Sequence, residues 1–104
     1  MTRRKRIKPY FGRGRTINAG HPIYVIHKEQ DKKEYIGMTH AKITKGIKNI
    51  KLNKNPNPKD STDAYFRPAV DYTTEKINKK YIDWKLDPSD KPKVKRIISQ
   101  NKKR

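Results

Sequence analysis

The sequence contains no cysteine, so disulfide bridges and zinc sites built on thiolates are excluded. It also lacks any apolar run approaching the roughly 18 residues that a membrane-spanning helix needs. Its first apolar cluster is too short for the core of a signal peptide. These absences predict a soluble, cytoplasmic protein without a membrane partner.

Apolar residues are scarce as well: they form 31% of the 104 residues, and the mean hydropathy is −1.24. Low hydropathy with high charge is also typical of disorder, but most of the nine aromatic residues lie between Tyr24 and Trp84 and favour a small core there. A chain of this length holds one domain. We expect a basic flexible arm over 1–19, a single α+β domain over 20–99 and a basic tail over 100–104.

Acidic residues are few, because 10 Asp+Glu stand against 28 Lys+Arg and leave a net charge of +18. A positive field of this size attracts polyanions and accelerates their association. The sequence therefore predicts a small basic nucleic-acid-binding protein that acts mainly through phosphate contacts. An interaction protein that docks on an acidic partner is an alternative.

The clearest structural unit in the sequence is a β-hairpin over 23–39. Residues 23–27 are β-branched or aromatic on both faces, which is typical of a strand covered on both sides. A polar turn over 30–33 leads to a second predicted strand at 34–39.

No acidic residue occurs from 39 to 59, where lysines recur at every third position. Here the pattern predicts a loop or short helix to about residue 46 and then a strand over 48–54. Residues 53–60 form a predicted loop, since two prolines remove backbone donors and push their predecessors out of the helical region.

The second half of the chain predicts a short strand over 64–67, ended by Pro68, and an amphipathic strand over 81–86. A C-terminal helix is expected to start at Ser89 or Asp90. Its apolar positions have helical spacing: Val94, Ile97 and Ile98. Together these elements predict an α+β fold, a small and mostly antiparallel sheet with the helix packed on it.

Two basic groups are predicted to bind phosphates. Within the arm, the Arg-Gly segment over 12–15 lies beside Tyr10 and Phe11. Arg-Gly segments beside rings suit unpaired bases, so we expect RNA ahead of DNA. A period of three stays aligned on neither a helix nor a strand, so the lysine series is equally consistent with a solvated surface. The arm residues are Arg3, Arg4, Lys5, Arg6, Lys8, Arg13 and Arg15. The lysine series is Lys42, Lys45, Lys48, Lys51 and Lys54.

A metal-independent ribonuclease is the enzymatic alternative. Such an enzyme needs a base for the 2′-hydroxyl, an acid for the leaving oxygen and a cation for the phosphorane charge. His40 and Arg67 are the first candidates for these roles, with His21 and either Tyr65 or Tyr35 as further ones. Their spacing is not diagnostic.

No motif in the sequence indicates a metal or a cofactor, and we expect neither. The three histidines lack the spacing of a metal site, and the carboxylates around Tyr65 form no D-x-D or H-E-x-x-H pattern. There is also no phosphate-binding glycine loop and no nucleophile elbow, so nucleotide hydrolysis and serine chemistry have no support.

Overall fold

A computed structural model of the protein describes residues 8–102. The predicted phosphate ligands Arg3, Arg4, Lys5 and Arg6 therefore lie outside the described residues. Within them the strands, in chain order, are β1 (Tyr10–Gly12), β2 (Ile23–Glu29), β3 (Lys32–Thr39), β4 (Ile43–Thr44), β5 (Ile47–Lys48), β6 (Ile50–Lys51), β7 (Tyr65–Phe66) and β8 (Asp71–Thr73). Two 3-10 turns, Ile17–Gly20 and Pro88–Asp90, and the helix α1 (Lys91–Lys102) complete the structure. The predicted α+β fold is confirmed.

The main sheet is antiparallel throughout and has the order β1-β2-β3-β7-β6. The long strand β3 has two successive partners on one side, because β8 pairs with its first half and β7 with its second half. Strands β4 and β5 form a separate two-stranded hairpin.

The predicted hairpin over 23–39 is present as β2 and β3, but its connection is shorter than expected. Glu29 pairs with Lys32, which leaves Gln30 and Asp31 as a two-residue turn, with Gln30 at φ 54°. The expected turn over 30–33 is wrong because Lys32 and Lys33, although charged, continue the ladder at its exposed end. Two-residue turns match the twist of the flanking strands and are the commonest hairpin connection.

The expected flexible arm over 1–19 is wrong for the residues that form β1. Tyr10–Gly12 pairs with β2, and Phe11 is buried. A Cβ atom added to Gly12 would lie 2.6 Å from the Ile77 side chain, so glycine allows a second segment to cross β1 closely. A three-residue strand is too short to show a period in the sequence.

The middle of the chain differs from its prediction because Lys45 and Gly46 both have positive φ, 50° and 79°. Two such residues make the turn of a tight hairpin, β4–β5, and exclude a helix at that point. The expected strand over 48–54 is reduced to Lys48, at the end of β5, and to the two residues of β6. The amide of Leu52 still donates to the carbonyl of Ala64 at 2.9 Å, but the assigned strand ends at Lys51. The predicted loop over 53–60 is confirmed.

In the second half, β7 confirms the strand predicted at 64–67, whereas the strand predicted at 81–86 is wrong. The amide of Trp84 donates to the carbonyl of Tyr81 at 3.1 Å, so the chain turns there and Ile82 remains 84% exposed. Trp84 and Leu86 are half-buried against the core as the alternation suggested, but on a turn rather than a strand. Strand β8 was not predicted.

The C-terminal helix is confirmed and begins slightly later than expected. The Asp87 side chain accepts from the amide of Ser89 at 3.1 Å and caps a 3-10 turn, after which α1 starts at Lys91. Pro92 falls in the first helical turn, where its missing amide costs nothing. The helix continues past the predicted domain end at residue 99.

Alternation along the strands gives the sheet two buried faces. The helix face packs against α1 and carries most of the core: Phe11, Tyr24, Ile36, Met38, Leu52, Ala64, Phe66, Val94 and Ile97. The opposite face is covered by the loops around residues 17 and 77, so we call it the loop face. Its smaller cluster is Ile23, Val25, Tyr35 and Ile77.

Candidate nucleic-acid interface

A cleft of about 880 Å³ is lined by β1, the segment 79–86 and the N-terminal half of α1. We call it the aromatic cleft, because five aromatic residues line it together with exposed Ile82: Tyr10, Phe11, Tyr24, Tyr81 and Trp84. Tyr10 lies at its edge, since its side chain also packs against the loop-face cluster. Tyr81 and Trp84 are partly exposed there, which makes the cleft a candidate binding site.

The rings of the cleft are arranged in two layers. Phe11 and Tyr24 are buried and form the floor, with ring centroids 4.6 Å apart. Tyr81 and Trp84 are half-buried and stack on each other at 4.1 Å and 24°, and Trp84 reaches Phe11 at 5.9 Å. Burial raises the pKa of Tyr10 and Tyr24 above the usual tyrosine value, so both hydroxyls remain protonated at neutral pH.

Lysines surround the rings, and no acidic residue lines the cleft. The ammonium of Lys79 lies 4.5 Å from the centroid of the Tyr10 ring, within cation–π range. In the chain from residue 8 to 102, none of the lining lysines forms an ion pair: Lys8, Lys79, Lys85, Lys91 and Lys95. Their charges are therefore available to an anionic ligand.

Main-chain hydrogen bonds hold the segment that carries the outer rings. Arg13 and Asn78 exchange two backbone bonds, of 3.0 and 2.8 Å, at its start. The amide of Lys85 donates to the carbonyl of Pro56 at 3.3 Å near its end. The positions of Tyr81 and Trp84 are thus fixed from both sides before any ligand binds.

The sequence-predicted arm residues separate in the structure. Lys8 lines the aromatic cleft, whereas Arg13 and Arg15 are exposed and do not. The lysines that the sequence argument missed are Lys79, Lys85, Lys91 and Lys95. For Lys79 and Lys85, the sequence feature that could have indicated a binding site was the alternation of lysines with aromatic residues over 79–85. We interpreted most of that segment as a strand over 81–86.

The lysine series from Lys42 to Lys54 is spread over the β4–β5 hairpin, strand β6 and the following loop. Pairing of Ile43 with Lys48 and of Lys42 with Asn49 puts Lys42 and Lys48 on opposite faces of the hairpin. Lys45 lies at its turn, and Lys51 forms an ion pair with Asp63 at 3.6 Å. The series makes no single stripe, and a role in binding stays a prediction.

A second, more open pocket of about 620 Å³ contains part of the predicted catalytic set. We call it the His40 pocket; its lining is His40, Lys42, Thr62, Asp63 and Tyr65. His40 Nε2 lies 3.3 Å from Asp60 Oδ2. The amide and hydroxyl of Thr62 donate to Asp60 at 2.9 and 2.6 Å and lower the pKa of its carboxyl to about 2, with a smaller contribution from His40.

The structure brings His40 and Tyr65 together and leaves the other predicted catalytic residues apart. His21 is exposed ahead of β2, and Tyr35 is buried on the loop face. Arg67 does not line the pocket. Its amide donates to the Gly37 carbonyl and so continues the β7 ladder, which puts the Arg67 side chain on the same face of the sheet as that of Tyr65.

Within residues 8–102 no helix has the length and apolar character of a membrane span, and no three His, Cys, Asp or Glu side chains gather as a metal site. No family model, curated protein or solved structure matches this chain, so the geometry alone supports what is proposed below.

Proposed function

We propose that this protein binds nucleic acid, with single-stranded RNA as the preferred class, and that the aromatic cleft is its main contact surface. The observation that carries the proposal is the lining of the cleft. Its outer rings, Tyr81 and Trp84, are partly exposed among lysines that form no ion pair within residues 8–102, and none of the described residues that line it is acidic. Proteins that bind single strands combine base stacking on aromatic side chains with cations that follow the backbone. The cleft offers both at one place.

The outer ring pair suits unpaired bases. Tyr81 and Trp84 are already stacked on each other, so a base that adds to the stack orders few further side chains. Stacking on an aromatic residue is worth about 1–3 kcal/mol per base. A duplex hides its base faces, which is why an unpaired strand is the better ligand.

The basic residues before Lys8 are connected directly to the mouth of the cleft, because Lys8 and Pro9 line it. Arg3, Arg4 and Arg6 precede Lys8 closely in the sequence, so we assign to them phosphate contacts of the kind that add affinity without reading sequence.

Fluorescence anisotropy with a labelled mixed-sequence RNA, measured from 50 to 200 mM salt, tests the proposal. We expect binding at 50 mM and a slope of log K against log salt of magnitude at least about 3. Replacing Lys79, Lys85, Lys91 and Lys95 by Gln should reduce that slope by about 0.7 for each phosphate that is no longer neutralised. The matched control removes the same number of charges outside the cleft, at Lys28, Lys32, Lys59 and Lys76.

Equal reductions in affinity for the two quadruple variants would mean that net charge, and not the cleft, drives binding. No binding to RNA or duplex DNA at 50 mM salt would sink the nucleic-acid proposal and leave an acidic protein as the partner to seek.

The ring contribution needs its own variant, Tyr81→Leu, which keeps charge and apolar volume. We expect it to weaken RNA binding by about 5- to 150-fold, the equivalent of one base stacked on one ring. Binding to inorganic polyphosphate, which has no bases, should be unchanged. A parallel weakening for both ligands would show that Tyr81 supports the fold and does not stack on bases.

A further inference from the structure

We propose that the His40 pocket is a second RNA site, at which an RNA strand is cleaved by transfer of a phosphodiester to its own 2′-hydroxyl. This activity goes beyond binding at the aromatic cleft, and the His40 pocket shares no lining residue with that cleft.

The carboxylate of Asp60 orients the His40 ring and selects the tautomer of its neutral form. Asp60 accepts two hydrogen bonds from Thr62 and is ionised, so it only accepts from the imidazole. In neutral His40 the proton therefore lies on Nε2, 3.3 Å from Asp60 Oδ2, and Nδ1 has a free lone pair. A histidine held in one tautomer by a carboxylate is the usual form of a general base in catalysis.

One lysine lines the pocket together with this base. Lys42 lines the pocket two residues after His40 and has no ion-pair partner between residues 8 and 102. Arg67 does not line the pocket, so Lys42 is the cation that we assign to the phosphate oxygens there.

Tyr65 lines the same pocket with 5% of its surface exposed, and its hydroxyl is the acid that we assign to the reaction. Its backbone pairs with Thr39 on one side and Lys51 on the other, so its position at the pocket is fixed by the sheet. The hydroxyl completes the set of base, cation and acid that cleavage of RNA requires.

The reaction balances with these groups alone. His40 Nδ1 takes the proton of the 2′-hydroxyl, and the 2′-oxygen forms a bond to phosphorus. The bond from phosphorus to the 5′-oxygen breaks, and that oxygen takes the proton of the Tyr65 hydroxyl. The products are a 2′,3′-cyclic phosphate and a 5′-hydroxyl, and the proton on His40 returns to Tyr65 through water.

The test is incubation of the purified protein with end-labelled single-stranded RNA in EDTA. We expect products that end in a 2′,3′-cyclic phosphate, and no cleavage when the attacking nucleotide is 2′-deoxy. His40→Ala should lower the rate by at least about 100-fold. His27→Gln, a histidine that pairs with Glu34 outside the pocket, should leave the rate unchanged provided that its thermal melt matches wild type.

Asp60 is a positioning residue, and its test is the separation of kcat from KM. Asp60→Ala removes the acceptor that orients the His40 ring, so kcat should fall while KM for RNA stays close to that of the wild type. Anisotropy on the same preparations separates this proposal from RNA binding. An RNA-binding protein that does not cleave, or cleavage that persists in His40→Ala, would overturn it.

Discussion

The two faces of the sheet are covered in different ways. On the helix face, α1 brings Val94 and Ile97 onto a layer of large side chains that includes Phe66, which is fully buried. On the loop face, irregular segments around residues 17 and 77 cover a smaller cluster. A helix satisfies its own backbone hydrogen bonds, whereas a loop brings unpaired backbone groups to the surface that it covers.

The loop face is therefore rich in side-chain to backbone hydrogen bonds. Glu75 accepts from the amides of Arg15 and Thr16 and from the Thr16 hydroxyl. Asn18 donates to the carbonyls of Pro22 and Met38, both at 3.0 Å. Burial of apolar area therefore stabilises the helix face, whereas side-chain to backbone hydrogen bonds hold in place the loops that cover the loop face.

The largest losses of folding stability should come from substitutions in the core of the helix face. Phe66→Ala is expected to cost about 3–5 kcal/mol, since it leaves a cavity at the centre of the larger cluster. Ile77→Ala, on the loop face, should cost about 2 kcal/mol. Denaturant unfolding of both variants compares them, and a larger destabilisation by Ile77→Ala would reverse the ranking of the two faces.

The next effect concerns Asp90, the one buried charged residue in the described chain. Its carboxylate accepts from the amides of Asn53 and Lys54 and pairs with Lys93 at 3.0 Å, which joins the loop after β6 to the start of α1. Asp90→Ala should cost about 3 kcal/mol, because it leaves these donors without their acceptor. Asp87→Ala, which removes only an exposed cap, is the control and should cost less.

A pH-dependent effect is expected on the loop face. Hydrogen bonds from Thr16 lower the pKa of Glu75 below its ordinary value of 4.5. The stability that Glu75 contributes is therefore fully present above 4.5 and is lost as the pH falls through the lowered pKa. The wild type should be more stable than Glu75→Gln at pH 7, and the difference should shrink at pH 3; a constant difference would contradict the assignment.

The smallest expected effect is an increase in stability. Ala19 is exposed at φ 51°, a conformation that costs a residue with a Cβ about 1 kcal/mol relative to glycine. Ala19→Gly should therefore raise the free energy of unfolding by up to about 1 kcal/mol. Ala41→Gly, at an exposed position without positive φ, should instead lower it slightly.

The elements found from the sequence were those with a strong local pattern. The 23–39 hairpin and the C-terminal helix have enough apolar residues in period to identify them. Strand β1 has three residues, and its place in the sheet depends on a crossing with Ile77 that no local pattern contains. The alternation at Ile82, Trp84 and Leu86 misled because the chain turns at Trp84: Trp84 and Leu86 are half-buried there without a strand, and Ile82 is exposed.

The candidate sites were found in part. His40 and Tyr65 were singled out by residue type, and the structure places them in one pocket, while the binding and catalytic roles stay predictions. The aromatic cleft was missed because its walls come from both ends of the chain. Only the tertiary fold places Tyr10 next to Lys79.

Because the aromatic cleft joins distant segments of the chain, it forms late in folding. Phe11 meets Trp84, more than 70 positions later in the sequence, so the cleft depends on long-range closure. Such contacts form late, because the entropy of a long loop must be overcome first. During synthesis, β2 and β3 are able to pair as a local hairpin well before residues 79–95 have been made. The nascent chain thus exposes its first basic residues long before the aromatic cleft can form. Attraction of polyanions by charge therefore precedes base stacking in the cleft during synthesis.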